Sequence, residues 1–266
     1  DAFGYELPEF GHLPMILGQD KKKLSKRHGV VSVMEYRDAG YLPDAVNNYL
    51  SLLGWQSGDD QEFFTVEELH QRFSLDQVHK RDTVFDLKKF QWLNGQHLNT
   101  RSTAELLPFV TPFFVESGVL SEADIAQNQD HEIQVIDLLK ERCRTLKDFP
   151  AQAGYFFTDE YAYNPKALRK HWKKEPAQVV ERLQWLRDAF AGLDDFTAES
   201  LEAATRNLAE THDLNPAQFI HPCRVALTGE LGGPSLFHLI EVLGKDTVLA
   251  RLGRSLDLVE TIEVPA

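Results

Sequence analysis

The sequence predicts a mainly α-helical protein in which a short piece of mixed structure is followed by helical domains. Three observations carry that expectation. Apolar residues recur at helical spacing from residue 32 onward, capping boxes and cap-plus-proline pairs punctuate the chain, and no pair of alternating runs joined by a tight turn follows Gly29. Neither a barrel nor a sandwich is therefore expected, and no recurring period signals a solenoid.

The run His12-Leu13-Pro14-Met15-Ile16-Leu17-Gly18 is short, apolar and ended by glycine, as expected of a buried strand leading out to a surface loop. The loop itself is Asp20-Lys21-Lys22-Lys23-Leu24-Ser25-Lys26-Arg27-His28-Gly29, with five basic residues among the seven from Lys21 to Arg27. Its helical successors begin with Val33, Tyr36 and Arg37, stopping at Gly40. Pro43 then opens a clearer helix carrying Ala45, Val46, Tyr49, Leu50 and Leu53 up to Gly54, with Trp55 as a packing residue. Thr65 with Glu68, and Ser102 with Glu105, have the capping-box form, in which a hydroxyl and a carboxylate satisfy the first free amides of a helix. Phe85, Leu87, Phe90, Trp92 and Leu93 form the next apolar group, which Asn94-Gly95 is expected to break or bend. Ile133, Val135, Ile136, Leu138 and Leu139 are the apolar set of a helix spanning 130–143. Asn164-Pro165, Asn215-Pro216 and Gly233-Pro234 each place a favourable cap before a first-turn proline, with Glu175-Pro176 a weaker instance. Two stripes, Val179, Val180, Leu183, Leu186, Phe190 and Leu236, Phe237, Leu239, Ile240, Leu243, read as core.

The chain's 266 residues suffice for two or more domains, and 42% hydrophobic with 26% charged residues is an ordinary globular composition. With 28 basic against 41 acidic residues the formal charge is −13, which argues against indiscriminate nucleic-acid binding but leaves room for a local basic patch. The positive charge is concentrated in the loop. Taken alone, such a cluster reads as a solvated face or a targeting patch; set beside Ser25 and Gly29, it can also bring ammonium groups to a polyphosphate. Cys143 and Cys223 are far apart and lack zinc-ligand spacing, so reduced, buried thiols in a cytoplasmic compartment are expected. The apolar stretch 106–120 is interrupted by Pro108, Pro112, Glu116 and Gly118 and is too short to span a bilayer. The ten histidines are dispersed, with no His-Glu-x-x-His pattern and no Gly-x-Ser-x-Gly elbow, so hydrolase and metalloenzyme readings find little support and no metal ligands are assigned.

Several blocks resemble bacterial-type glutamyl-tRNA synthetase, a class I aminoacyl-tRNA synthetase. They are residues 12–18; Lys23-Leu24-Ser25-Lys26-Arg27-His28-Gly29; Gly40-Tyr41-Leu42-Pro43; Asn48-Tyr49-Leu50-Ser51-Leu52-Leu53-Gly54-Trp55; Phe85-Asp86-Leu87-Lys88-Lys89-Phe90; and Ala226-Leu227-Thr228-Gly229 with Gly233-Pro234-Ser235-Leu236-Phe237. The pentad from Lys23 to Arg27 is similar to the KMSKS motif of that class, with Leu24 and Arg27 as the family's usual substitutions. The resemblance implies ATP-dependent attachment of glutamate to tRNA(Glu) through a glutamyl-adenylate, with ATP and Mg2+ as the parent enzyme's nucleotide and metal. Lys26 would be the catalytic lysine on the leaving pyrophosphate, and Lys23, Lys26 and Arg27 would contact ATP.

The resemblance also implies an organisation: 1–30 as the end of a catalytic domain with its KMSKS loop, 31–101 as a stem-contact domain, and 102–160 and 161–266 as two helical anticodon-binding subdomains. The fold expected is thus a remnant of a class I catalytic domain and stem-contact region before a two-part helical anticodon-binding module. The HIGH motif of the class is absent, and the chain opens on Asp1 rather than methionine. It is expected to correspond to the carboxy-terminal half of the enzyme and to form no adenylate alone. Arg142 and Arg144, within the cluster Lys140, Arg142, Arg144 and Lys147, and Gly233, Pro234 and Leu236 are the tRNA-binding candidates; the cluster Lys166, Arg169, Lys170, Lys173 and Lys174 beside Trp172 reads as a solvated helix face. A monomer without membrane association is expected. The competing readings are a free-standing tRNA-binding module without catalysis and a helical interaction protein with a vestigial motif.

Overall fold

The computed structural model describes residues 3–6, 10–25 and 32–263, and the chain divides into two units: Asp1–Ser102 with Cys143–Lys147, and Thr103–Arg142 with Asp148–Ala266. In the first unit, β1 (Ile16–Leu17) pairs in parallel with β2 (Thr83–Val84), Ile16 opposite Thr83 and Leu17 opposite Val84. The expected buried strand is thus only two residues long and half-buried, because the run before it has little to pack against: Leu13 is 79% and Met15 50% exposed. After β1 the chain turns at residues 18–22 and comes back, Leu17 bridging Lys23 in antiparallel sense. Lys21 adopts a left-handed φ of 59° in that turn, its N–H donating to the Gly18 carbonyl at 2.9 Å.

Among the described residues the unit also holds four α-helices, α1 (Val33–Asp38), α2 (Pro43–Leu52), α3 (Val66–Arg72) and α4 (Leu87–Thr100). Pro43 sits in the first turn of α2 as its fixed φ allows, and Thr65 with Glu68 closes the expected capping box on α3. Asp86 caps α4, its carboxylate accepting from the Lys88 and Lys89 amides. The core is aromatic. Tyr36, Tyr41, Tyr49, Phe85 and Phe90 cluster with Val46, Leu53 and Leu93, and the Tyr49 and Phe90 rings stack at 4.4 Å.

Asn94 and Gly95 do not break α4. Both are buried inside it: Asn94 Oδ1 accepts from the Leu42 amide at 2.8 Å and its Nδ2 donates to the Arg144 carbonyl at 2.5 Å. A Cβ on Gly95 would lie 2.8 Å from Arg144 Nη1, so glycine is there to admit the 143–147 segment. Gly40, with φ 86°, accepts the Leu146 amide at 2.8 Å and ties the same segment in.

The second unit holds α5 (Thr103–Glu116), α6 (Glu122–Leu139), α7 (Asp148–Phe157), α8 (Pro165–His171), α9 (Pro176–Ala191), α10 (Ala198–Thr211), α11 (Ala217–Thr228), α12 (Leu236–Leu243) and α13 (Lys245–Thr261). α6 starts well before residue 130 because Ser121 and Asp124 form a capping box there. α5, α6 and α7 pack on one another, and α9 lies along α13 with Val179, Leu183, Leu186, Val248 and Leu252 buried; both predicted core stripes are in place apart from half-buried Val180. Asn164 caps α8, its side chain accepting from the Lys166 amide, whereas α12 begins only at Leu236 with Ser235 at its N-cap, leaving Pro234 outside the helix. Both cysteines are buried, and among the described residues neither forms a disulfide. Among the described residues no helix is long and apolar enough to cross a membrane.

Candidate functional site

In the first unit, the turn after β1 forms one wall of a polar cleft of about 1340 Å³, lined among others by Asp20, Lys22, Lys23, Ser25, Tyr36, Asp86 and Lys88. The wall is held by backbone geometry. Gly18 N–H donates to the Lys22 carbonyl at 2.8 Å, Leu24 N–H to the Ile16 carbonyl at 2.9 Å, and Gln19 Nε2 to the Phe85 carbonyl at 2.9 Å. Lys22 and Lys23 are exposed at the mouth, where three ammonium groups, with Lys88, face two carboxylates. Such a cleft suits an anion already chelated or partly neutralised. Lys26 and Arg27 lie outside the described residues. No group of three or more His, Cys, Asp or Glu side chains among the described residues is placed to hold a metal ion.

The second unit carries a different constellation, where the end of α11 meets α7. α11 stops at Gly229, whose φ of 74° and N–H bond to the Val225 carbonyl make a left-handed cap. A Cβ on Gly229 would sit 2.2 Å from the Ala162 carbonyl oxygen, so no other residue fits without moving backbone. The Gly229 carbonyl accepts the Asn164 amide at 2.8 Å, and Asn164 Nδ2 donates to Glu230 at 3.1 Å. From that anchor the chain runs through Gly232 and Gly233 to buried Pro234. Gly233 approaches α11 so closely that a Cβ on it would be 2.9 Å from Arg224 Nη1 and 3.7 Å from the Tyr155 hydroxyl.

Arg224 Nη1 is buried and has no hydrogen-bond partner among the described residues. Leaving a guanidinium N–H unsatisfied costs about 1–3 kcal/mol or more. Burial lowers the pKa of Arg224 from the usual arginine value, the Arg142 charge adding a smaller push; Tyr155 and Cys223 oppose it. Burial pushes the Tyr155 hydroxyl up to about 12, against the pull of Arg224 and Arg142, so it remains an O–H donor. A neutral hydroxyl and a cationic fork thus converge beside a glycine loop, an arrangement that can donate to a base carbonyl or a phosphate oxygen.

Of the sequence candidates, Arg142 is exposed and acts electrostatically on Tyr155 and Arg224, and Gly233 forms the loop against them. Pro234 and Leu236, the latter 5% exposed, belong to the core beneath that loop. Arg144 belongs to the first unit, where its guanidinium lies on Gly95. In the other basic cluster Trp172 is buried and donates its indole N–H to the Pro222 carbonyl at 3.2 Å, so it offers no stacking face; Lys173 caps α13 through the Val259 carbonyl at 2.9 Å. Lys166, Arg169, Lys170 and Lys174 remain exposed. Tyr155 and Arg224 escaped the sequence reading. The available signal was an arginine set in the apolar run Cys223-Arg224-Val225-Ala226-Leu227 directly before Thr228-Gly229.

An anticodon binding domain family matches residues 101–256, and the class I tRNA synthetase catalytic domain family of the E and Q type matches residues 1–92. The chain is 41% identical over 254 residues to a glutamate–tRNA ligase of Moorella thermoacetica and 44% identical over 258 residues to one of Desulforudis audaxviator. In both cases 96% of this chain is covered, and it spans about half, 51%, of the relative's length. A crystal structure of a glutamate tRNA ligase from Elizabethkingia meningosepticum in complex with its amino acid superposes with a TM-score of 0.81 at 31% identity, covering 97% of this chain and 53% of that one. With its larger part matched by an anticodon-binding domain and the remainder by a class I catalytic domain, the chain belongs to the glutamate–tRNA ligase family of class I aminoacyl-tRNA synthetases.

Proposed function

We propose that the chain is the tRNA-binding part of a glutamate–tRNA ligase, which attaches glutamate to tRNA(Glu) at the expense of ATP, and that it also supplies one wall of the site where ATP reacts. The observation that carries the tRNA reading is the buried, unpartnered Arg224 Nη1 set against Gly233 and beside Tyr155. In this reading the Arg224 fork and the Tyr155 hydroxyl donate to edges of an unstacked anticodon base, while exposed Arg142 holds the phosphate chain. Arg144 and the remaining exposed lysines serve the backbone without base selectivity.

For ATP, the pentad from Lys23 to Arg27 acts as a phosphate loop. Its first lysine is held by the return strand after β1, at the mouth of the polar cleft. Lys26, three residues further, stabilises charge on the pyrophosphate as the glutamate carboxylate attacks the α-phosphate, and loosens its hold once the pyrophosphate leaves. Mg2+ supplies charge neutralisation on the same phosphates and is carried in with ATP. The adenine and glutamate pockets are assigned to the half of the relatives that this chain does not span. The domain limits proposed are 1–30, 31–101, 102–160 and 161–266, and the protein is proposed to work as a monomer in the cytoplasm.

The testing experiment is a binding titration of the 266-residue chain with a tRNA(Glu) transcript and with an unrelated tRNA across a range of salt. Tighter binding of tRNA(Glu), with affinity falling steeply as salt rises, is expected. Equal affinity for the two RNAs would contradict the proposal and favour a helical interaction protein. ATP–pyrophosphate exchange separates the chain from a complete ligase: no exchange above background is expected with glutamate and tRNA present.

A further inference from the structure

Arg251 of α13 is 2% exposed, and its guanidinium donates to four acceptors from two pieces of chain, residues 155–159 and Leu227. Nη1 donates to the Tyr155 carbonyl at 2.8 Å and to the Leu227 carbonyl at 2.7 Å, Nη2 to the Thr158 carbonyl at 3.1 Å, and Nε to Asp159 Oδ1 at 2.9 Å. Its face lies 4.9 Å from the centroid of Tyr161, whose hydroxyl donates to the Ala226 carbonyl at 2.7 Å.

Two of those carbonyls are special. Tyr155 is in the last turn of α7 and Leu227 in the last turn of α11, where helix carbonyls have no partner within the helix. One planar fork therefore closes both helix ends. These are also the turns that carry the contact groups: Tyr155 gives its hydroxyl from the residue whose carbonyl Arg251 holds, and Arg224 lies three positions before Leu227. A cap on a single helix needs no arginine, since water or a hydroxyl serves as well. What the fork adds is a fixed distance between two helix ends, because its N–H groups diverge at set angles.

We propose that Arg251 is the positioning residue of the tRNA interface: by binding the Tyr155 and Leu227 carbonyls together, it fixes α7 against α11 so that the Tyr155 hydroxyl and the Arg224 guanidinium meet at Gly233. The inference rests on the reading of Tyr155, Arg224 and Gly233 as tRNA contacts. Arg251 itself touches no RNA; it acts through the geometry of the pair. Lysine at 251 keeps the charge but loses the fork, so it cannot hold both carbonyls at their present separation.

The test uses the 266-residue chain and two RNAs, a tRNA(Glu) transcript and the same transcript with all three anticodon bases replaced. The readout is the ratio of their dissociation constants, alongside a thermal melt. In the original protein the ratio is expected to favour tRNA(Glu). Arg251→Lys is expected to shrink that preference by about fivefold or more, the value of one well-placed base contact, while affinity for the replaced transcript is unchanged and the melt stays cooperative. Should Arg251→Lys lower the melting temperature yet keep the full preference, Arg251 is a structural clamp alone and the proposal is overturned. Should that variant not fold, Arg251→Gln, whose shorter side chain cannot span both carbonyls, takes its place; a reduced preference supports the proposal, and an unchanged one overturns it. If the original protein shows no preference at all, the tRNA-contact reading fails first and the proposal falls with it, whereas a preference that survives both substitutions removes the positioning role only.

Discussion

Gly233→Ala should damage RNA recognition while leaving stability nearly untouched. The added Cβ would stand 2.9 Å from Arg224 Nη1 and 3.7 Å from the Tyr155 hydroxyl, and the backbone at Gly233 is not in the left-handed region. A nonbonded carbon contact relaxes near 3.5 Å, so the guanidinium has to give by about 0.6 Å. It sits at the end of a flexible side chain and can do so at a cost of well under 1 kcal/mol, in keeping with substitutions outside the core. The same movement is enough to spoil a two-point hydrogen bond to a base, each of which is worth about 1–3 kcal/mol of discrimination. The expectation is a loss of roughly tenfold in affinity for tRNA(Glu), measured by fluorescence anisotropy, with an unfolding midpoint close to that of the original protein. Gly232→Ala is the control, because a Cβ there meets nothing within 4 Å; it should bind normally. Unaltered binding by Gly233→Ala, or an equal loss in Gly232→Ala, would refute the reasoning that the Arg224–Gly233 approach serves recognition.

Other substitutions probe different links. Gly229→Ala combines left-handed backbone strain with a clash into the Ala162 carbonyl and should cost on the order of 3 kcal/mol in denaturant unfolding; a change below about 1 kcal/mol would contradict the geometry. His97 is held to a pKa of about 4 mainly by burial, with Nε2 donating to Asn48 Oδ1 and so leaving Nδ1 to take up any added proton. Its folded pKa lies below the ordinary 6.5, so the fold favours the neutral ring: the stability it contributes is complete above pH 6.5 and is lost as pH falls towards about 4. Unfolding titrations across that window should show the fall, and His97→Gln should flatten part of it. In a complete ligase containing this chain, Lys26→Ala should lower kcat by about 100-fold with the KM for tRNA unchanged; equal losses in both would move Lys26 from the phosphates to the RNA.

What the residues disclosed depended on how local each cause was. Thr65 with Glu68 and Asn164 with Pro165 announce helix starts because the groups that satisfy each other lie within four positions. The periodic stripes on α9 and α12 report burial for the same reason. Asn94-Gly95 read as a breaker because its partners, Leu42 and Arg144, come from remote sequence and turn a poor helix pair into a buried bridge. Gly233-Pro234 read as a helix start, but the close approach to Arg224 governs Gly233, and Ser235 begins α12 instead. The blocks around the basic loop were enough to show family resemblance. The Arg224, Tyr155 and Arg251 arrangement was not, since α7, α11 and α13 assemble it from across the second half of the chain.

The proposed grip on the anticodon of tRNA(Glu) rests on Arg224 and Tyr155. Base-resolved chemical footprinting of a tRNA(Glu) transcript, free and bound to the 266-residue chain, addresses it most directly. Protection of anticodon bases by the original protein is predicted, together with loss of that protection, but not of protection along the neighbouring backbone, in Arg224→Gln. Anticodon bases that stay fully reactive while the RNA is bound would contradict the account.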